Sequence, residues 1–216
     1  MPAIDSPRWR RRKEARPSEI VAAALEVFAE RGFAAARLED IAARAGVSKA
    51  ALYLYFPTKQ DLFRAVVADA FAPNLAGVAG AADAYEGRFE DLVRTLLPAL
   101  AAVASRGSMG GLVKMVVGES RNFPELAKVW HDDLVGKALA AVSGAIARAQ
   151  AKGEVKAGDP RAYALGLIAP LMLAVLWRET FTPVGAPPFD LEALARQHAE
   201  TALNGMLAEM PEAAAA

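Results

Sequence analysis

Cysteine is missing from all 216 residues, so neither a disulfide framework nor a thiolate metal site can form. Histidine is nearly missing too: His131 and His198 lie far apart and offer no i, i+4 metal pair, so no metal or other cofactor is expected. No excess of either charge exists, with 25 Lys and Arg against 25 Asp and Glu. Long apolar runs are wanting as well. The longest uncharged stretch, between Arg161 and Arg178, holds 16 residues and contains Pro170. A membrane span needs roughly 20, so this stretch reads as a helix covered in a bundle or subunit interface. The basic N-terminus is not followed by an unbroken apolar segment, which argues against a secretory leader. Sustained period-two alternation is lacking, and no Asn-Gly or Asp-Gly joins two alternating runs as a hairpin, so strands are not expected. Catalytic signatures are lacking too: no Gly-x-Ser-x-Gly elbow, Gly-rich phosphate loop or His-Glu-x-x-His motif occurs. Glu119 with Arg121, or Asp132 with Asp133, can be imagined as acid–base groups, but nothing names a reaction.

What the chain does have is apolar residues, 54% of the total, and many strong helix formers. The first periodic segment spans Pro17 to Arg31, with Ile20, Ala24, Val27 and Phe28 on one face. Pro17 suits a first helical position and Gly32 the left-handed residue past the end. Short helices follow at about Leu38–Ala45 and Lys49–Phe56, and another begins near Lys59 after the Pro57-Thr58 break. Further helices are expected at about 88–105, 109–121, 125–151, 160–180 and 190–208. Pro98 and Pro170 should kink or interrupt two of these, and Pro183 to Pro188 reads as a linker. The expected fold class is all-α: an N-terminal three-helix head on a larger C-terminal helical bundle. The boundaries fall at a basic arm over 1–16, a head over 17–62 and a body over 63–210.

Charge balances overall but not locally. Residues 1–64 carry twelve Lys and Arg against eight Asp and Glu, a net of +4, and the remainder carries −4. Arg8, Arg10, Arg11, Arg12, Lys13 and Arg16 gather in one short arm. Such an arm suits a polyanion, either nucleic acid or an anionic membrane surface, or it is a solvated tail. A membrane-surface protein using this arm, and a helical enzyme with an accessory DNA head, are the competing functions.

The stretch Leu38 to Lys59, LEDIAARAGVSKAALYLYFPTK, is the most informative. Two short helices that cross closely need a small residue at the contact, and Ala42 is one. The turn needs a residue that tolerates positive φ, which Gly46 supplies. Val47 points inward, Ser48 caps the next helix, and Leu52 with Phe56 forms its buried face. This is helix-turn-helix spacing, with the second helix laid in a major groove. On its other face Lys49 can reach a guanine edge or a phosphate, Tyr53 a thymine methyl and Tyr55 a phosphate oxygen. Lys59, beside the free amides of the following helix, can clamp the backbone. Arg37 offers a phosphate contact where the helix before Ile41 has no Ser or Thr cap. Ser48 and Ala50, with Arg11 and Arg12 of the arm, complete the candidate DNA-binding set.

Residues 17–64, with GVSKAALYLYFPTKQDLF at 46–63, resemble the DNA-binding head of the tetracycline-repressor-like (TetR/AcrR) transcriptional regulators. That pattern has Gly-Thr where this chain has Ala50-Ala51, and often His or Trp where Leu54 stands. The resemblance implies a cytoplasmic homodimer that reads an inverted-repeat operator in double-stranded DNA and joins its subunits through the helices near 160–180 and 190–208. It also implies a small-molecule effector held in the body, between helices at about 60–72, 88–105, 109–121 and 125–151. Candidate pocket residues are Phe71, Leu96, Met115, Trp130, His131 and Leu134. Trp130 and His131 are consecutive and point about 100° apart, so both should not face one cavity.

Overall fold

A computed structural model describes residues 8–105 and 108–208. The described residues form eleven α-helices and no strand; Val155 and Leu207 make an isolated bridge. The three helices expected of the head are α1 (Arg8–Ala35), α2 (Leu38–Arg44) and α3 (Lys49–Tyr55), and α4 (Lys59–Ala70) packs on α1 beside them. The body holds α5 (Ala72–Asp83), α6 (Phe89–Ser105), α7 (Met109–Glu119), α8 (Pro124–Trp130), α9 (Gly136–Ala151), α10 (Pro160–Thr180) and α11 (Leu191–Met206). A π-helical turn, His131–Val135, joins α8 to α9, so 124–151 is one continuous helical rod.

Head and body share a continuous apolar core, from Ile20, Phe28 and Phe33 through Leu97, Leu112 and Leu126 to Leu167 and Leu203. No buried residue of the described core is polar or charged. The termini of the later helices are set locally. Asp159 caps α10 through the Arg161 amide, and Asp190 caps α11 through the amides of Glu192 and Ala193.

Several expectations are corrected. The first helix does not begin at Pro17: its backbone is helical from Arg8, with Pro17 inside it. Proline removes one ladder bond there, while the neighbouring Arg, Lys, Glu and Ala residues favour helix. Gly32 has φ 77° and ψ 172°, so it breaks the helix as anticipated, but a last turn continues to Ala35. Helix α5 was not foreseen. Its sequence, APNLAGVAGAAD, has little apolar periodicity to betray a helix, and Pro73 sits in its first turn. Neither Pro98 nor Pro170 ends its helix, each lying inside an otherwise packed element.

Helix α10 with the turn after it is long and apolar enough to cross a membrane by composition alone, which counting the uncharged run did not indicate. In the fold, Ala164, Leu167, Leu171, Ala174 and Val175 of that helix are buried. Its opposite side leaves Leu165 and Leu173 59% and 64% exposed.

Candidate nucleic-acid interface and apolar cavity

The turn between α2 and α3 closes by backbone bonds that the residue types anticipate. Val47 N–H donates to Ala42 O at 3.0 Å and Gly46 N–H to Ala43 O at 3.2 Å, with Gly46 at φ 66°. This paired bonding around a left-handed glycine satisfies carbonyls that the end of α2 would otherwise leave open. Ser48 then caps α3, its Oγ accepting from the Ala51 amide at 3.1 Å. Leu52 is fully buried and anchors α3 to the head, while Ala42 of α2 is buried at the crossing.

The anchored face of α3 fixes what its other face shows. Ser48, Lys49, Ala50, Tyr53 and Leu54 are exposed, Leu54 to 79%. Leu54 enters the sequence reading only for its residue type and is absent from the candidate DNA-binding set, although its offset from Leu52 places it away from the core. Tyr55 is half-buried and packs on the core. Lys49 pairs with the Glu39 carboxylate of α2 and lies 5.7 Å from the centre of the Tyr53 ring. The hydrogen bond to Glu39 raises the Lys49 ammonium above its ordinary value and, reciprocally, lowers the Glu39 carboxyl. Arg37 is exposed at the start of α2, where no side chain caps the helix. The side chains of Arg11 and Arg12 lie outside the described residues; only their helical backbone is described.

Lys59 is placed differently from the expectation. Its Nζ turns inward, donating to Phe33 O at 2.5 Å, Ala36 O at 3.0 Å and Ala34 O at 3.3 Å, 4.5 Å from the centre of the Phe33 ring. Burial lowers its pKa. Three donors directed at three carbonyls leave this ammonium engaged within the head rather than presented at the surface.

The body carries a cavity of about 400 Å³ that opens beside the exposed Leu165 and Leu173. Leu96 and Leu100 of α6, Met109 and Val113 of α7, and Trp130 and Leu134 of the 124–151 rod form part of its wall. Of the six anticipated residues, Leu96, Trp130 and Leu134 line it and three do not. Phe71 is buried behind Trp130, ring centres 6.0 Å apart. Met115 is buried two residues past Val113, about 200° around α7 from the cavity side. His131 is exposed, its Nδ1 2.8 Å from Asp132 Oδ1, in keeping with the divergence of consecutive helical positions. The anticipated wall also lacked two contributors: α5 supplies Val78, Ala79 and Ala82, and α10 supplies residues from Leu165 to Leu176. Among the described residues every side chain in the lining is apolar or aromatic, and the Trp130 indole N–H is the one side-chain nitrogen or oxygen group they bring. No group of three His, Asp or Glu side chains suited to a metal occurs among the described residues.

A capped helix held proud of a small helical head, on a body with an apolar cavity, is a helix-turn-helix arrangement. Residues 20–66 match the family model "Bacterial regulatory proteins, tetR family", and residues 83–187 match "Tetracyclin repressor-like, C-terminal domain". Together these span more than two thirds of the chain, which belongs to the tetR family of bacterial regulatory proteins.

Among curated relatives, the HTH-type transcriptional activator FasR of Mycolicibacterium smegmatis is 46% identical over 55 residues, 26% of this chain and 25% of that protein. The HTH-type transcriptional regulator RutR of Escherichia coli is 49% identical over 53 residues, 24% of this chain and 25% of that protein. The matches thus span about a quarter of the length of these relatives. Among solved structures, the transcriptional regulator FadR of Bacillus subtilis, in complex with stearoyl-CoA, superposes with a TM-score of 0.72 at 19% identity, covering 87% of this chain and 98% of that one.

Proposed function

We propose that this chain is a cytoplasmic homodimeric repressor that reads an inverted-repeat operator through α3 and releases it when an apolar effector fills the body cavity. The observation that carries this reading is the orientation of α3. Leu52 ties it to the core while Lys49, Ala50, Tyr53 and Leu54 stand on the outside, where a major groove admits a helix. Lys49 offers a cation for guanine or phosphate, and Tyr53 with Leu54 offers apolar contact to thymine methyls. Arg37 at the open start of α2 suits a backbone phosphate, and the arm with Arg11 and Arg12 suits an adjacent groove.

Two further features support the parts of the reading that concern partners. The exposed leucines of α10 form an apolar stripe beside the largely polar outer face of α11, which suits pairing with a second copy. None of the described residues lining the cavity brings a charged side chain, which favours a hydrocarbon chain or ring system as its occupant. The Bacillus subtilis regulator was solved with stearoyl-CoA, whose stearoyl tail is a hydrocarbon chain. This effector acts only through its different affinity for the two states of the dimer.

The test is selection of duplexes from a random-sequence library, followed by titration of the recovered inverted repeat. Lys49→Ala or Tyr53→Ala should each cost about 1–3 kcal/mol if the residue reads a base. Unchanged affinity in the double variant overturns this assignment of the reading helix.

A further inference from the structure

The junction between α1 and α2 is gripped from two sides. On one side Glu119, the last residue of α7, reaches across from the body. Its Oε1 accepts from the Phe33 amide at 2.9 Å and its Oε2 from the Ala34 amide at 2.7 Å. The break at Gly32 interrupts the α1 ladder just before these two amides, and the carboxylate supplies their acceptors. Gly32 also makes the room for it, since a Cβ at that position would collide with the carboxylate. On the other side, Lys59 holds the carbonyls of Phe33, Ala34 and Ala36. The Phe33 ring is seated between Phe28 and Phe63 of the head and Phe123, which follows α7, at 5.2 Å.

Helix α7 also forms the cavity wall. Met109 and Val113 face the chamber, whereas Gly111, Met115 and Glu119 recur every four residues on another side of the rod. That second side is the one against α1: a Cβ at Gly111 would lie 3.0 Å from the Ala29 Cβ, so the two backbones approach closely. Glu119 lies six positions beyond Val113, about 9 Å along a helix. A displacement of the wall at Val113 is therefore carried by a short, closely packed rod to the carboxylate that holds the head. Lys114 ties the same helix to the end of α10, donating to Glu179 O at 2.7 Å.

We propose that Glu119 is the positioning residue that sets the angle of the DNA-reading head on the body. Through its two-pronged hold on the Phe33 and Ala34 amides, occupancy of the cavity changes operator affinity. This inference rests on the regulator reading above. A carboxylate is required rather than an amide of the same size, because glutamine would present a donor to one of the two N–H groups.

The experiment is a double-mutant cycle on the full chain, with Val113→Phe standing in for a bound effector and Glu119→Gln removing one prong. Affinity is measured by fluorescence anisotropy on the inverted repeat recovered by selection with the unaltered chain. Val113→Phe is expected to change affinity at least fivefold in the presence of Glu119, and less than twofold in the Glu119→Gln background. Hydrogen exchange at the Phe33 and Ala34 amides should accelerate in Glu119→Gln while the urea unfolding midpoint moves little. If Val113→Phe does not fold, Val113→Leu and Ala138→Leu fill the chamber by smaller steps and enter the same cycle. Equal fold-changes in both backgrounds, or no change on filling the cavity with Glu119 in place, overturn the proposal. Failure of the selection to enrich any sequence would instead sink the regulator reading itself, so the two failures are told apart.

Discussion

At Lys59 three hydrogen bonds decide where a positive charge goes. The side chain begins α4 in a position that, by chain order alone, faces a DNA backbone, yet its ammonium turns to the carbonyls of Phe33, Ala34 and Ala36. Lys49 presents the opposite case: its partner Glu39 is on the surface, and water and salt compete with that pair. The two lysines therefore separate in experiment. Lys59→Ala should lower head stability by about 1–3 kcal/mol, because it strands part-buried carbonyls, and should leave the salt dependence of DNA binding unchanged. Lys49→Ala should leave the urea midpoint nearly unmoved and, where the ammonium meets a phosphate, flatten the salt slope by about one. Urea unfolding and anisotropy titrations at several salt concentrations provide both readings.

Among the elements, the turn before α3 is the most tightly specified. Gly46 at φ 66° lets Val47 and Gly46 return their amides to the end of α2, and Ser48 opens the next helix. A Cβ at Gly46 would meet nothing within 4 Å, so the cost of Gly46→Ala is conformational rather than steric. We expect about 1–2 kcal/mol from the left-handed geometry, read as a lower urea midpoint. Helix α5 shows the converse. Gly77, Gly80 and its alanines write no strong apolar stripe, so the helix is held by packing against α9, α4 and α6. Its existence is a tertiary fact more than a local one.

For the whole molecule, α10 carries two duties on adjacent faces. Leu167, Leu171 and Val175 complete the core, while Leu165 and Leu173 edge the cavity and remain exposed in a single copy. A second chain laid along this stripe would cover it, and a reader of inverted repeats needs two heads held together. Leu173→Glu should shift the chain toward monomer in sedimentation analysis, with its helical circular dichroism kept. Operator affinity should fall at least tenfold in the same variant, since each half-site is then bound alone.

By itself the sequence determined those features whose partners lie within a few residues along the chain. The Ser48 cap, the Gly46 turn, the Gly32 break, the burial of Leu52 and the extents of α6, α10 and α11 follow from short-range bonding and a 3.6-residue apolar period. Tertiary structure alone decided which apolar face meets which neighbour. It set Met115 and Phe71 behind the cavity wall, sent His131 to the surface, brought α5 and α10 into the chamber, and joined Glu119 to amides 85 and 86 positions away. The physical reason is one of range. A helix's periodicity tells that a side is apolar, but the direction in which that side docks is fixed only when distant helices close around a common core.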